Sequence, residues 1–114
     1  KSGDGYPPYN IERLAPSDRS ERLRITLAVA GFSDNDLEVT LEDNQLVIRG
    51  RQSEEPDREY LHRGIAARQF QRAFVLADGM RVSGADLKNG LLAIDLERPE
   101  PEKLVRRINI AVSE

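Results

Sequence analysis

The sequence predicts an all-β protein built as a sandwich of antiparallel strands. Three observations carry this prediction. Six or more short segments alternate apolar with polar residues, turn residues separate them at short intervals, and no segment has the apolar period of an amphipathic helix. At 114 residues the chain has the length of one domain that can bury a core.

The first strands follow a lead-in that is rich in Gly and Pro. Residues 1–8 are predicted to be unstructured, and because the chain begins with Lys1 and no initiator Met, we expect that an N-terminal portion has been removed. Residues 9–14 alternate and predict a short strand, and a polar turn is expected over 16–20. A half-buried strand ending at Gly31 follows, with one apolar face: Leu23, Ile25, Leu27 and Val29.

A hairpin and a long charged loop come next. Residues 37–42 and 45–51 both alternate, and the Asp43-Asn44 pair between them predicts a two-residue turn, since both residue types tolerate positive φ. Half of residues 52–63 are charged, and Tyr60 and Leu61 are the only large apolar residues among them. We expect a loop here, with one short strand near its far end.

The last part of the predicted domain contains two clear strands and one ambiguous segment. Residues 68–76 alternate, whereas residues 82–88 fit either a helical turn or a short strand. After the Asn89-Gly90 turn, alternation resumes at Leu92, Ile94 and Leu96. Pro99 and Pro101 are expected to end regular structure, because proline cannot donate a hydrogen bond to a sheet.

Composition excludes several classes of function. The 17 basic and 20 acidic residues give a net charge of −3 and are interspersed, so no basic patch for nucleic acid is predicted. No apolar stretch is long enough to span a bilayer, and no signal peptide is visible, so we expect no membrane partner. The absence of cysteine excludes disulfides and thiolate sites. These features together favour a cytoplasmic setting.

Catalytic and metal-binding signals are weak. His62 is the only imidazole, and it lies in the charged loop without a nucleophile motif elsewhere, so a surface role is favoured. The same loop contains an acidic cluster that lacks the spacing of a calcium site and is flanked by arginines, which favours a solvated loop. The cluster is Glu54, Glu55, Asp57 and Glu59. The sequence predicts no enzyme, no cofactor and no metal.

Two features have more than one interpretation. Arg72 shares a strand face with Phe70 and Phe74, where a charge is costly unless it is paired, so it is either an edge arginine extending to solvent or one half of an interface ion pair. Ile108 and Ile110 alternate with Asn109 beyond the two prolines. They form either a final strand of the domain or a detached apolar segment for a partner's groove, and the prolines favour the second interpretation.

Four segments, taken in order, resemble motifs of the small heat-shock proteins, the alpha-crystallin family. The resemblance covers residues 9–110. Its one departure is Ala77, where many members have proline. The segments are Ala30-Gly31-Phe32 with Asp36-Leu37-Glu38-Val39, Phe70-Gln71-Arg72-Ala73-Phe74-Val75-Leu76 for F-x-R-x-F-x-L, Ala85-Asp86-Leu87-Lys88-Asn89-Gly90-Leu91-Leu92 for A-x-x-x-n-G-v-L, and Ile108-Asn109-Ile110 for I-x-I.

The resemblance implies an immunoglobulin-like sandwich that forms a strand-swapped homodimer and higher homo-oligomers. It implies a lead-in over 1–8, a sandwich domain over 9–98 with a dimerisation loop over 52–67, and a C-terminal extension over 99–114. The dimer interface would contain Tyr9, Ile11, Tyr60, Leu61 and Arg72. A groove for the Ile108 and Ile110 tail, or for a client protein, would be lined by Val39, Leu41, Ala85 and Leu87.

The function implied by the resemblance is that of an ATP-independent holdase, which binds non-native client proteins by burying apolar surface. A monomeric co-chaperone or adaptor domain of the same sandwich type is the alternative. Such domains usually lack both the long loop and the I-x-I tail.

Overall fold

The computed structural model describes residues 5–54, 57–100 and 105–113, and its strands form two antiparallel sheets. The prediction of an all-β sandwich is therefore confirmed. A short 3-10 helix over Asp34–Asp36 precedes the third strand. The seven strands are β1 Tyr9–Ser17, β2 Ser20–Ala28, β3 Leu37–Glu42, β4 Gln45–Arg51, β5 Gln69–Val75, β6 Arg81–Lys88 and β7 Leu91–Pro99.

The strand order leaves four sheet edges. One sheet has the order β1-β2-β7-β6, and the other has the order β3-β4-β5. The ring of Tyr9 in β1 meets the ring of Phe74 in β5 edge-on, with centroids 5.0 Å apart. Because this contact places β1 over β5, the opposite edges β6 and β3 lie on the other side of the sandwich.

The core lies between the inner faces of the two sheets. Cross-strand register keeps the alternating apolar residues on that side, as the sequence predicted. Leu23, the first residue of the predicted apolar face, is only half-buried, whereas the other three are buried. The buried cluster consists of Ile25, Leu27, Val29, Phe32, Leu46, Ile48, Phe70, Leu76, Leu92, Ile94 and Leu96.

The first hairpin is longer and tighter than predicted. Strand β1 continues to Ser17, which pairs with Ser20, so the turn is only Asp18 and Arg19, both at positive φ (52° and 62°). Pro16 lies where the register shifts between Leu14 and Ser17. A bulge accommodates proline because a bulged residue does not have to donate a backbone hydrogen bond to the neighbouring strand. The interrupted alternation at this bulge explains why the sequence predicted a turn here.

The ambiguous segment 82–88 is a strand with a bulge. In β6 the register with β7 shifts between Val82 and Gly84, and the extra residue interrupts the alternation on which the sequence argument depends. The other predicted turns are present. Asp43 has φ 58°, and Asn89 and Gly90 have φ 54° and 77°.

The charged loop contains no strand in its described residues, 52–54 and 57–68, so the short strand expected near Tyr60 is absent from the single chain. Gln52, at the start of the loop, contacts the residue at its end. The Gln52 amide donates to the Gly31 carbonyl at 2.8 Å and accepts from the Arg68 N–H at 2.7 Å. The two ends of the loop are thereby held together at the edge of the sandwich.

Candidate protein-binding surfaces

The four residues predicted to line a groove lie on inner faces of the edge strands β3 and β6. Val39 and Leu41 pair with the buried residues of β4, while Ala85 and Leu87 pair with the buried residues of β7. Directly paired residues of an antiparallel sheet share a face, so all four point between the sheets. Since both strands are edges on the same side of the sandwich, this arrangement defines an open apolar cleft, which we call the β3–β6 groove.

The β3–β6 groove is only partly covered. Val39 and Leu87 are half-buried and pack against the core, Ala85 is exposed, and Leu41 keeps 50% of its surface accessible. An edge strand also presents unpaired backbone N–H and C=O groups, which offer hydrogen bonds to an extended segment. The groove therefore provides both apolar and backbone contacts.

The C-terminal tail lies outside both sheets. Residues 105–113 form no strand, and Ile108 and Ile110 are 75% and 88% exposed. The region of Pro101, where the sequence predicted an end to regular structure, lies outside the described residues, and Pro99 is the last residue of β7. Large aliphatic side chains gain about 1.5–3 kcal/mol each on full burial, so this segment has a strong tendency to bind apolar surface.

The opposite side of the sandwich has a second apolar cleft beside β1. Ile11 is 55% exposed and lines a cavity of about 260 Å³ together with Leu23, Phe74 and Met80. Tyr9 covers the neighbouring part of β5 through its contact with Phe74. The outer edge of β1 has no neighbouring strand in the described sheet order.

Arg72 occupies the inner face of β5 between these features. Its Nη2 donates to the Pro7 carbonyl at 3.1 Å, and its guanidinium carbon lies 4.9 Å from the centroid of the Tyr9 ring. The Nε atom is buried and has no hydrogen-bond acceptor among the described residues. The edge-arginine interpretation therefore does not account for this side chain, because a solvent-facing guanidinium would keep its Nε hydrated.

Tyr60 and Leu61 lie in the charged loop, outside both sheets. Tyr60 lines a cavity of about 500 Å³ with Gly31 and Gln52, and Leu61 is fully exposed. Arg63 organises the loop: it donates to Glu54 at 3.0 Å and lies 5.1 Å from the centroid of the Tyr60 ring. The single chain thus places Tyr60 on a different cavity from Ile11.

Several exposed apolar residues were not singled out from the sequence. Val112 continues the alternation of Ile108 and Ile110, so the pattern itself contained the signal. Val75 ends a strand whose inner-facing residues were predicted, but its own outward direction leaves it uncovered. The set, all exposed, is Ile65, Val75, Leu91, Val105 and Val112.

The outer face of the four-stranded sheet carries several arginine–carboxylate pairs. Arg81 donates twice to Glu97, at 2.9 and 3.2 Å. The Arg24 guanidinium hydrogen-bonds Asp95 and holds the pKa of that carboxyl below its usual value. On the other sheet, hydrogen bonds from Arg49 and Thr40 lower the pKa of Glu42. Most exposed apolar side chains therefore lie at the sheet edges, in the charged loop or in the tail.

Within residues 5–54, 57–100 and 105–113, no three acidic or His side chains lie close enough together to hold a metal ion. Across the same ranges, no helix has the length and apolar character needed to cross a membrane. His62 lies in the exposed loop.

Open sheet edges, apolar side chains beside them and an exposed apolar tail are features of a β-sandwich suited to binding other polypeptides. The chain belongs to the Hsp20/alpha crystallin family, whose model matches residues 16–112. The small heat shock protein IbpA of Yersinia pestis is 50% identical over 112 residues, which cover 96% of this chain and 79% of the relative. The chain is accordingly a small heat shock protein with an alpha-crystallin domain, and its role is that of a chaperone.

Solved structures agree with this assignment. The small heat shock protein of Synechococcus phage S-ShM2 is 37% identical, with a TM-score of 0.63, and the match covers 92% of this chain and 99% of that one. AgsA of Salmonella typhimurium, another small heat shock protein, is 26% identical, with a TM-score of 0.69 and coverage of 91% and 98%.

Proposed function

We propose that the protein is an ATP-independent holdase that captures unfolding proteins and limits their aggregation. The observation that supports this most directly is the placement of exposed apolar side chains at sheet edges and in the tail, on a molecule whose sheet faces carry ion pairs. An unfolding client exposes apolar surface, and burying it against such residues gains about 25 cal/mol per Å². Native proteins expose few large apolar patches, so they are not bound.

The working unit in this proposal is a homodimer formed by exchange of the loop 52–67. The loop of one protomer would place Tyr60 and Leu61 beside Tyr9 and Ile11 of the other, and its backbone would pair with the open edge of β1. The cavity next to Ile11 has room for an apolar side chain. Burial of the fully exposed Leu61 would supply part of the driving force.

Arg72 supports the same arrangement. Its Nε atom is buried without an acceptor, and leaving a buried charged group unsatisfied is costly. A carboxylate of the exchanged loop would satisfy this donor, and the loop contains several. Arg72 is therefore proposed as a dimer-interface residue whose acceptor comes from the partner protomer.

Dimers would assemble further through the tail. In this proposal residues 99–114 form an extension, and Ile108 and Ile110 of one dimer occupy the β3–β6 groove of another. Burial of both isoleucines contributes about 3–6 kcal/mol before the cost of ordering the tail. Each contact is then weak and reversible, and a large particle depends on many of them. The residues 1–8 act as a lead-in to the sandwich domain 9–98, and the setting is the cytoplasm.

The holdase function is tested by heating an aggregation-prone model protein with and without this chain, in the absence of ATP. We expect light scattering to fall as the chain is added, while an equal mass of an inert globular protein has no effect. Undiminished scattering at a molar excess of the chain would contradict the proposal.

Assembly is tested by mass-resolved sizing of the chain and of its Ile108→Ala/Ile110→Ala variant. We expect the variant to shift from larger particles towards dimers, and an Asn109→Ala control to leave the size unchanged. An unchanged size for the double variant would contradict tail docking. A monomer for both chains would instead favour the co-chaperone or adaptor alternative.

A further inference from the structure

The tail contains a third apolar residue in the same alternation as its two isoleucines. Ile108, Ile110 and Val112 are all exposed, Val112 at 86%, and in an extended chain all three lie on one face. The residues between and beyond them are polar or small: Arg107, Asn109, Ala111 and Ser113. In an extended conformation the tail would therefore present three apolar side chains at two-residue steps, each about 6.8 Å long.

Each wall of the β3–β6 groove has three successive inward-facing residues, which define three levels along it. They are Leu37, Val39 and Leu41 on β3, and Leu87, Ala85 and Val82 on β6. At one end are Leu37 and Leu87. Residues that pair directly across neighbouring strands form a row that runs across the sheet. Leu37 shares a row with Phe70, and Leu87 shares a row with Leu27. The ring of Phe70 meets Phe32 at 5.3 Å, just beyond the end of β2, so both rows lie at the end of the sandwich where β2 finishes.

The other end has the pair Leu41 and Val82. Leu41 shares a row with Phe74, and Val82 shares a row with Leu23. Phe74 and Leu23 line the same cavity near the start of β2, which places these two rows at one end. The β6 bulge is what turns Val82 inward, because the extra residue lets both Val82 and Ala85 face the core.

Between these ends lies the pair Val39 and Ala85. This central level is the only one of the three with a wall residue as small as alanine, so it has the most room for a branched side chain. Along β3 the wall residues Leu37, Val39 and Leu41 are also two residues apart, which is the spacing of the apolar residues in the tail.

We propose that Val112 is a third docking residue of the tail, and that it occupies an end level of the β3–β6 groove of a second copy while Ile110 occupies the central level. The assignment holds for either direction of the tail, because Ile110 is the middle residue of three. It rests on the proposed docking of the tail, and it extends the contact by one level beyond the two isoleucines.

The test uses a labelled synthetic peptide of residues 105–113 and, as receptor, the full chain carrying Ile108→Ala and Ile110→Ala, so that its own tail does not compete. Fluorescence anisotropy gives the Kd. We expect Val112→Ser in the peptide to weaken binding about 3- to 10-fold, because a buried aliphatic contact is lost. Ala111→Ser, on the opposite face, is the matched control and should change the Kd less than twofold.

The outcomes separate this inference from the function on which it rests. Suppose that the Val112→Ser peptide binds as tightly as the parent peptide, while a peptide with Ile108→Ala and Ile110→Ala does not bind. The proposed role of Val112 would then be wrong, and docking of the tail through its isoleucines would stand. If the parent peptide does not bind, both the role of Val112 and the proposed docking of the tail are wrong. A photo-crosslinker in place of Val112 should react with residues 37–42 or 81–88, and reaction elsewhere would overturn the assignment.

Discussion

Arg24 and Asp95 form a bidentate ion pair across the neighbouring strands β2 and β7, with Nε 2.7 Å from Oδ1 and Nη2 3.1 Å from Oδ2. The planar guanidinium matches the two carboxylate oxygens, and this geometry distinguishes the pair from single-contact surface bridges such as Arg19–Glu100, at 3.6 Å. The pair ties the two central strands of the four-stranded sheet together on the face that the core does not cover.

Replacing Asp95 by Asn should lower the free energy of unfolding by about 1 kcal/mol, because the amide keeps one acceptor but loses the charge and the second bond. Asp78→Asn, in the exposed turn before β6, is the control and should have no measurable effect. Urea unfolding followed by circular dichroism gives both values. An Asp95→Asn midpoint equal to that of the unmodified chain would show that the pair is fully offset by desolvation.

Stability should decline in acid. Hydrogen bonds from arginines hold the pKa values of Asp95 and Glu42 below their usual values in the folded state. Such carboxylates stabilise the fold above their unfolded pKa, near 4, and this contribution is lost as the pH falls through the lower folded pKa. Melting temperatures measured from pH 7 to pH 3 should be flat at first and then fall below about pH 4.5. Asp95→Asn should have a shallower decline.

Gly50 is required by the packing of Phe70 rather than by its backbone conformation. A Cβ at Gly50 would lie 2.3 Å from the Phe70 ring, so Gly50→Ala must displace a buried aromatic residue. We expect a loss of about 1–3 kcal/mol in the free energy of unfolding. Gly84→Ala, also in a strand but with no atom within 4 Å of the new Cβ, should cost less than about 0.5 kcal/mol. Equal denaturant midpoints for the two variants would contradict this account.

Arg72→Met should weaken the dimer more than it destabilises the protomer. Methionine keeps much of the packing volume and removes the donor that lacks an acceptor within the described chain. If a partner carboxylate binds this donor, the dimer Kd should rise about tenfold, or about 1.4 kcal/mol. Analytical ultracentrifugation measures the Kd, with Arg51→Met as an exposed control. A Kd unchanged by Arg72→Met would place the role of Arg72 within its own subunit.

Alternation was sufficient to predict most strands because each sheet has one buried and one exposed face. It was insufficient at two bulges. The bulge at Pro16 was interpreted as the beginning of a turn. The bulge between Val82 and Gly84 made a strand look ambiguous. A single inserted residue exchanges the inward and outward positions, so a two-residue period cannot be followed through it.

The sequence predicted which residues belong to the candidate surfaces, but not how these residues lie relative to one another. Alternation indicated that Val39 faces inward, whereas Leu87 was expected in the groove because of the family resemblance. Their presence on the same side of the sandwich depends on the sheet order, which local sequence does not specify. The acceptor of Arg72 within its own chain is the carbonyl of Pro7, a backbone atom 65 positions away that has no sequence signature. The tail was easier to interpret, because Pro99 and Pro101 in the sequence indicated that the sheet ends before Ile108, and β7 does end at Pro99.

The amide of Gln52 closes the base of the charged loop by contacts to Gly31 and Arg68. Since this side chain joins the two ends, the interior of the loop has little part in maintaining the sandwich. Its sequence is therefore free to diverge between duplicated genes at small cost to folding. If the loop selects the partner protomer, related chains in one cell can evolve to mix or to remain separate by changes confined to this segment.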